Sequence, residues 1–221
     1  MQIENQEFYH VHRIGRHSLL WTIGNQIDFT SELVRDEKKS LYDAVKSHSE
    51  TNNMNADQSA ASWNSTRDAI ECYIEEEVFE EVRLAQFPHL PSRLCCFYPC
   101  RTEGETWYYW HWYASPKQDI KIFKVLLTGV LHEADNSYMK HKIRLFNEIR
   151  NDATLYWNGI KTEWYLKTQK SIEQKTSTLE DSLILNTDRL FNGTVTILEE
   201  INPNTLTIPE SYQRLRNRHS R

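Results

Sequence analysis

The sequence predicts a domain of the α+β class, in which helices and strands follow one another without a regular βαβ rhythm. Residues 7–13 alternate between two faces as a strand does, with Phe8, His10 and His12 on one face. Apolar residues from Ile70 to Val82 instead recur at steps of three and four, as on one face of a helix. Because the two kinds of element are interleaved irregularly, an α+β arrangement is favoured over a doubly wound parallel sheet.

The composition is typical of a globular protein that does not span a membrane. The 221 residues are 39% hydrophobic and 26% charged, and no apolar run approaches the roughly 20 residues of a membrane helix. The opening residues show no signal-peptide pattern, so we expect a cytoplasmic location. The net charge of −5 argues against coating nucleic acid by bulk charge. Four cysteines lack paired CxxC spacing, and we expect core thiols at Cys72, Cys95, Cys96 and Cys100.

The N-terminal half contains the clearest helix. The first strand is expected to end at Gly15, and Gly24-Asn25 signals a turn before a loosely helical stretch. Residues 47–62 are small and polar and predict a loop. A helix follows from Ser65 to about Ala85. Its glutamates are expected to form mostly a solvated face: Glu75, Glu76, Glu77, Glu80 and Glu81.

The C-terminal half is expected to hold most of the strands and a second long helix. The residues "ETWYYWHWYA" fit a short aromatic helix, although their aromatic density also suits a strand. A helix is expected from Asn136 to Asn158, with Tyr156 and Trp157 packing at its end before a Gly159 cap. We predict that the domain covers residues 1–201 and that residues 202–221 form a basic tail. Strands are predicted at 92–100, at 119–129, and at 179–186 and 193–201 on either side of an Asn192-Gly193 turn.

Five short segments, taken in order, carry a family resemblance. No Walker loop, Rossmann glycine fingerprint, zinc-knuckle spacing, HExxH or GxSxG is present. The segments are "FYHVHR", "EEEVFEEVRLAQFPHLPSRLCCF", "NDATLYWNG", "LEDSLIL" and "GTVTILEEI", and they are spread over residues 7–201. In these segments the chain resembles a bacterial family that we assign to the ADP-ribosyltransferase superfamily, which includes toxins.

The resemblance implies a split, strongly bent sheet that clamps NAD in a cleft. It implies that His10 on the first strand holds a ribose and that Ser92 lines the nicotinamide pocket. It also implies that Glu180 touches the 2′-hydroxyl of the nicotinamide ribose. The sequence departs from the family pattern in two places, because "SRLCCF" lacks the usual tyrosine and Asp181 competes with Glu180 for the carboxylate position.

The chemistry of NAD cleavage explains these residue types. Breaking the nicotinamide glycosidic bond builds positive charge on the ribose, so a nearby carboxylate stabilises the transition state. A pyrophosphate is suited to a guanidinium fork, for which Arg13 and Arg93 are the candidates. The nicotinamide ring needs an aromatic platform, and Tyr109 lies in the aromatic run 107–110 that follows the central segment.

Each of these residues also has a purely structural interpretation. His10 fits an ordinary hydrogen-bonded imidazole, and Ser92 fits a serine in a turn. The aromatic run fits a core segment, and Glu180 fits a surface strand residue. His10 and His12 could also bind a metal together with His17, although no carboxylate or thiolate stands at an informative spacing.

The function expected from the sequence is NAD-dependent ADP-ribosyl transfer by an intracellular bacterial toxin, encoded with an antitoxin or in a phage-defence locus. The acceptor is expected to be a nucleic acid or a protein, and a nucleic acid, with RNA or DNA modification as the outcome, is slightly favoured. Four arginines among the last eight residues favour that acceptor. Two alternatives remain, a non-catalytic or antitoxin-like binding module and a metal-dependent hydrolase. Nicotinamide release, NAD-independent partner binding and chelator-sensitive hydrolysis would distinguish the three.

Overall fold

The computed structural model describes residues 1–13, 21–29, 56–113, 120–142, 144–173 and 187–206. Within these ranges the chain forms four strands, four α-helices and two short 3₁₀ turns. The strands are β1 (Gln2–Arg13), β2 (Gln26–Asp28), β3 (Ile120–Asp135) and β4 (Thr187–Ile201). The helices are α1 (Ala56–Gln86), α2 (Glu103–Tyr113), α3 (Phe146–Trp157) and α4 (Glu163–Glu173). The 3₁₀ turns are Asn136–Tyr138 and Pro203–Thr205. The prediction of a mixed α+β domain is confirmed.

The four strands form one antiparallel sheet in the order β1-β3-β4-β2. The long strands β3 and β4 pair from Ile122–Ile201 at one end to Asp135–Thr187 at the other. β1 pairs with β3 from Ile120 to Val130, and the short β2 pairs with the middle of β4. The first and last described strands of the chain therefore both lie against the central strand β3.

The segment from Phe97 to Cys100 shows that this sheet is strongly curved. Phe97 forms a backbone bridge with Phe191 along the edge of β4 that faces away from β3. Cys100 forms a bridge with Tyr9 along the edge of β1 that faces away from β3. In a flat sheet these outer positions would be separated by at least four strand spacings, about 19 Å. Three residues of extended chain reach at most about 11 Å. The sheet must therefore curl until the edges of β1 and β4 approach each other and this segment can join them.

Both faces of the curled sheet are covered by apolar side chains. The concave face carries a cluster in which Phe8, Phe97, Phe123 and Phe191 are almost fully buried. On the other face, α1 and α3 pack around Phe79, Tyr156 and Trp157 near the ends of β3 and β4. α2 packs against β1 and β3 on that same outer face through Trp107, Val11 and Ile122. Within the described ranges no helix is long and apolar enough to cross a membrane.

The predicted turn at Asn192-Gly193 is wrong, because β4 runs straight through it. Gly193 lies opposite Gly129 of β3, and both have positive φ, +145° and +157°. A Cβ atom at Gly193 would lie 2.4 Å from the carbonyl oxygen of Thr128. The glycines therefore allow two strand backbones to approach closely. The same contact explains why β3 continues six residues beyond Gly129, where the sequence predicted its end.

Several predicted boundaries also differ from the structure. α1 begins at Ala56, inside the segment expected to be a loop. The helix expected from Asn136 is a 3₁₀ turn followed, after an interval, by α3 from Phe146. Residues 92–100 form a turn and two isolated bridges rather than a strand, and α4 was not predicted. The aromatic run is a helix. The strand predicted at 179–186 lies outside the described residues.

Replacing Gly193 by alanine is expected to destabilise the protein by about 3 kcal/mol or more. The new methyl group adds backbone strain and overpacking, each of about 1–3 kcal/mol. Gly24→Ala is the matched control, since Gly24 also has a positive φ (+85°) but its Cβ would meet no atom within 4 Å. We expect only about 1–2 kcal/mol there. Urea unfolding of both variants measures the difference, and equal losses would show that the Gly129–Gly193 approach is not tight.

Candidate functional site

His10 lies on the concave face of the sheet, inside a cluster of aromatic rings that we call the aromatic cup: His10, His12, Trp21, Phe29, Phe97 and Phe123. Its ring stacks on Trp21 with centroids 4.6 Å apart and tilts against Phe97 at 4.4 Å. Alternation along β1 directs Phe8, His10 and His12 to this face, as the sequence predicted. The curvature of the sheet then brings Phe97 over the strand.

The hydrogen bonds of His10 define its tautomer. Nδ1 lies 3.2 Å from the carbonyl oxygen of Tyr98. Because a carbonyl oxygen only accepts, Nδ1 carries the proton and Nε2 is left as an acceptor. Burial, and next the neighbouring His12, lower the pKa of His10 to about 3. His10 is therefore a neutral imidazole that offers one lone pair on the concave side of the sheet.

Arg93, predicted to hold a pyrophosphate, lies in a buried network of hydrogen bonds. The side chain is 8% exposed, and Nε and Nη2 donate to the two oxygens of Glu76, each at 2.9 Å. Nη1 donates to Asp188 and, at 2.7 Å, to the hydroxyl of Tyr156. The carboxylates and the tyrosine hydroxyl raise the pKa of Arg93 against the opposing effect of its burial. A phosphate could reach this guanidinium only by displacing Glu76 or Asp188.

Ser92 is also engaged with neighbouring residues. Its hydroxyl donates to Glu80 at 3.0 Å and accepts from the backbone N–H of Leu94. Glu80 in turn accepts two hydrogen bonds from Arg83, so Ser92 adds a further hydrogen bond to the Glu80–Arg83 ion pair near the end of α1. The geometry is that of a serine in a turn.

The glutamates of α1 do not all face solvent, which corrects the prediction of a mostly solvated face. Glu76 pairs with Arg93, and Glu75 is fully buried. Glu75 accepts from Arg144 and from the backbone N–H groups of Lys140 and His141. Buried carboxylates are stable when they are paired in this way. Sequence periodicity did not reveal it because their partners lie far along the chain.

Tyr109 lies apart from the aromatic cup, and Arg13 is only partly described. Tyr109 belongs to α2, which packs beside Val11, and Val11 points to the opposite side of β1 from His10. A ligand touching His10 from the concave face therefore cannot stack on Tyr109. Trp21 provides an aromatic ring there instead. Arg13 is the last residue of β1, and its side chain lies outside the described part.

Glu180 and Asp181, the predicted catalytic carboxylates, lie outside the described residues, as do His17 and residues 207–221. The convergence of Glu180 or Asp181 with His10 therefore stays a prediction. Among the residues that the structure describes, no three His, Cys, Asp or Glu side chains are grouped so that they could hold a metal ion. All four cysteines lie among the described residues, and none of them forms a disulfide there.

A family model covers most of the chain, from residue 8 to residue 182. Its description is a protein of unknown function, DUF2441. The chain belongs to the DUF2441 family. A comparison with curated proteins gives no significant match. The part of this DUF2441 protein that matches the model includes the aromatic cup, Ser92 and Arg93, Glu180 and Asp181, and ends before β4 begins.

Sequence reasoning missed the residues that connect Arg93 to His10. Tyr98 accepts from His10 through its carbonyl oxygen and donates through its hydroxyl to the carbonyl oxygen of Arg93 at 2.9 Å. Tyr156 and Asp188 complete the far side of the network and bond each other at 2.9 Å. Tyr156 was correctly expected at the end of a helix, where the Gly159 N–H donates to its carbonyl oxygen. No local sequence pattern indicates the partners of its hydroxyl group, Arg93 and Asp188.

Removing Arg93 is expected to destabilise the protein by about 3–5 kcal/mol, because Arg93→Ala leaves Glu76 and Asp188 buried without their cation. Arg150→Ala is the matched control, since Arg150 joins α3 to Glu81 of α1 through an ion pair with both side chains about half exposed or more. We expect a change within about 1 kcal/mol there. Chemical denaturation measures both. Losses of similar size would contradict the structural role of Arg93.

His10 is expected to make folding less stable in acid. Its pKa is about 3 in the folded protein and about 6.5 in the unfolded chain, so between these values the unfolded state binds the extra proton. Stability is then present above pH 6.5 and falls toward pH 3, by at most about 1.4 kcal/mol per pH unit. Urea unfolding at pH 4, 5, 6 and 7 should show a shallower slope in His10→Phe. An unchanged slope would contradict a buried neutral His10.

His132 is expected to supply part of the acid sensitivity that remains in that variant. Burial lowers its pKa to about 4, and its ring stacks on Trp157 with centroids 5.5 Å apart. Protonation of His132 therefore also lowers the stability of the folded protein as the pH falls.

Proposed function

We propose that this DUF2441 protein is an NAD-dependent ADP-ribosyltransferase whose NAD site lies at the aromatic cup. The observation that supports the proposal best is the state of His10, a neutral imidazole with its Nε2 lone pair on the concave face of a curved sheet. A ribose hydroxyl is a donor that suits such an acceptor. The resemblance of the chain to ADP-ribosyltransferases assigns the same residue to ribose binding.

The aromatic cup also suits the flat rings of NAD. Trp21 is only partly buried and already stacks on the rings of His10 and His12. Offset stacking on an indole stabilises a planar aromatic ring by roughly 0.5–1.5 kcal/mol beyond the effect of buried area. We therefore assign the platform role to Trp21 in place of Tyr109. Ser92 and Arg93 serve in this proposal to hold the segment that carries Phe97 and Tyr98.

In the proposed reaction NAD would supply the ADP-ribosyl group, with nicotinamide as the leaving group. The protein would supply a negative charge near the ribose. Glu180, or its neighbour Asp181, is proposed for that role, since a carboxylate stabilises the positive ribose of the transition state. A neutral His10 is compatible with this chemistry because it adds no positive charge beside the ribose. The acceptor is proposed to be a nucleic acid, on account of the arginine-rich tail. The protein is proposed to act in the cytoplasm as a toxin held by an antitoxin.

Incubation with NAD labelled in its adenylate part, together with cellular RNA, DNA and protein, tests the proposal. We expect nicotinamide release and label in a nucleic-acid fraction. Glu180→Gln should lower the rate by about 10²-fold or more, because the amide keeps the shape of the side chain but loses its charge. If Asp181→Asn has that effect instead, the carboxylate role moves to Asp181.

Variants of the aromatic cup test the location of the site. His10→Phe keeps the ring packing and removes the acceptor, and it should weaken NAD binding and turnover at least tenfold. His89→Ala is the matched control, since His89 is exposed in the turn after α1. Binding of NAD without nicotinamide release would favour the non-catalytic binding module. No binding of NAD, together with chelator-sensitive hydrolysis, would favour the metal-dependent hydrolase.

A further inference from the structure

The α1 surface carries a thiol–imidazole pair that the proposed function does not use. Cys72 Sγ lies 3.2 Å from Nδ1 of His141, and the two residues line an open cavity of about 540 Å³. The other lining residues are Arg67, Asp68, Glu71 and Lys142. The cavity gives a small molecule access to the sulfur.

His141 is held in place by a buried group. The fully buried carboxylate of Glu75 accepts from the backbone N–H of His141 at 2.6 Å and lies 3.4 Å from its Nδ1. His141 itself has a φ of +48°, in the left-handed region. A proton transferred from the Cys72 thiol to Nδ1 of His141 would leave a thiolate beside an imidazolium, with the Glu75 carboxylate 3.4 Å from the same nitrogen.

The remaining thiols provide an internal comparison. Cys100 is buried, and burial raises its pKa well above the usual value of a thiol. Cys96 is half-buried and its Sγ lies 3.9 Å from the carbonyl oxygen of Arg93. Among the four cysteines, Cys72 alone has a described imidazole partner in an open cavity. The reactivity of a thiol follows its thiolate fraction and its access, and Cys72 has an imidazole beside its sulfur and lines an open cavity.

The charges around the cavity indicate what kind of molecule enters. Arg67 is paired with Asp68 and Glu71 along α1. Lys142 is exposed at the rim and forms no ion pair within the part of the chain that the structure describes. The ammonium group of Lys142 therefore offers an ion-pair partner to a carboxylate of the entering molecule.

We propose that Cys72 is a reactive thiol that exchanges with small disulfides bearing carboxylate groups. In the step, the Cys72 thiolate attacks one sulfur of the disulfide R–S–S–R. A Cys72–S–S–R bond forms, the original S–S bond breaks, and the leaving thiolate RS⁻ takes a proton from His141 or from water. No net oxidation is needed beyond the disulfide itself. The site is separate from the aromatic cup, so the modification does not depend on the proposed NAD chemistry.

The test uses the full chain and dithiobis(nitrobenzoic acid), an aromatic disulfide with two carboxylates that releases a coloured thiolate. We expect one fast-reacting thiol per chain at pH 7, and peptide mass spectrometry should place the adduct on Cys72. Cys72→Ser should abolish the fast phase, whereas Cys95→Ser should keep it. A fast phase that maps to another cysteine, or no fast phase, would overturn the proposal.

A further variant separates activation of the thiol by His141 from simple exposure of the thiol. His141→Asn removes the imidazole while keeping a residue that tolerates the left-handed backbone, and it should slow the fast phase about tenfold at pH 7. Its pH midpoint should rise toward that of a free thiol. An unchanged rate and midpoint would refute the thiol–imidazole pair as the source of reactivity.

Lys142→Gln tests the charge preference. It should slow the reaction with dithiobis(nitrobenzoic acid) about threefold and leave the reaction with cystamine, a cationic disulfide, unchanged or faster. Equal slowing with both probes would contradict the selection of carboxylates. Circular dichroism of each variant confirms that the helix is retained.

Discussion

The buried guanidinium of Arg93 connects the parts of the protein that the sheet alone does not join. Its two hydrogen bonds to Glu76 attach it to α1, and its contacts with Tyr156 and Asp188 attach it to α3 and β4. A guanidinium can do this because its donors spread in a rigid plane and meet several acceptors at once. Lysine, with a single ammonium group, could not replace that geometry. The backbone carbonyl of Arg93 then accepts from Tyr98, whose own carbonyl fixes His10.

The curvature of the sheet depends on the same segment. Phe97 and Cys100 must reach β4 and β1 only a few residues after Arg93, so the position of Arg93 limits where the two sides of the sheet can meet. The Gly129–Gly193 approach allows the central strands to come close at a point where side chains would collide. The ion network on the outer face and the paired glycines within the sheet thus act together. The rings of the aromatic cup lie on the concave face that this curvature forms.

The sequence was sufficient wherever the information is local. Steps of three and four residues predicted that Val78, Phe79 and Val82 face the core, and alternation predicted the shared face of Phe8 and His10. It was insufficient where contacts join distant segments. The partners of Arg93 lie 17, 63 and 95 residues away, so no spacing rule could show that Glu76 is buried. The Asn192-Gly193 pair has the composition of a turn, and only its register against Gly129 shows that it is a close approach of two strands.

The placement of His10 is the part of the candidate site that packing does not explain. Its neighbours Trp21, Phe97 and Phe123 would accept a phenylalanine ring, which needs no hydrogen bond and carries no penalty in acid. An imidazole there destabilises the fold as the pH falls, because burial opposes its protonation. The Tyr98 carbonyl satisfies Nδ1, and within the described residues Nε2 has no such bond. A polar atom kept within an aromatic cluster has a use when a ligand supplies the donor, and that is the physical ground for the binding site proposed at this position.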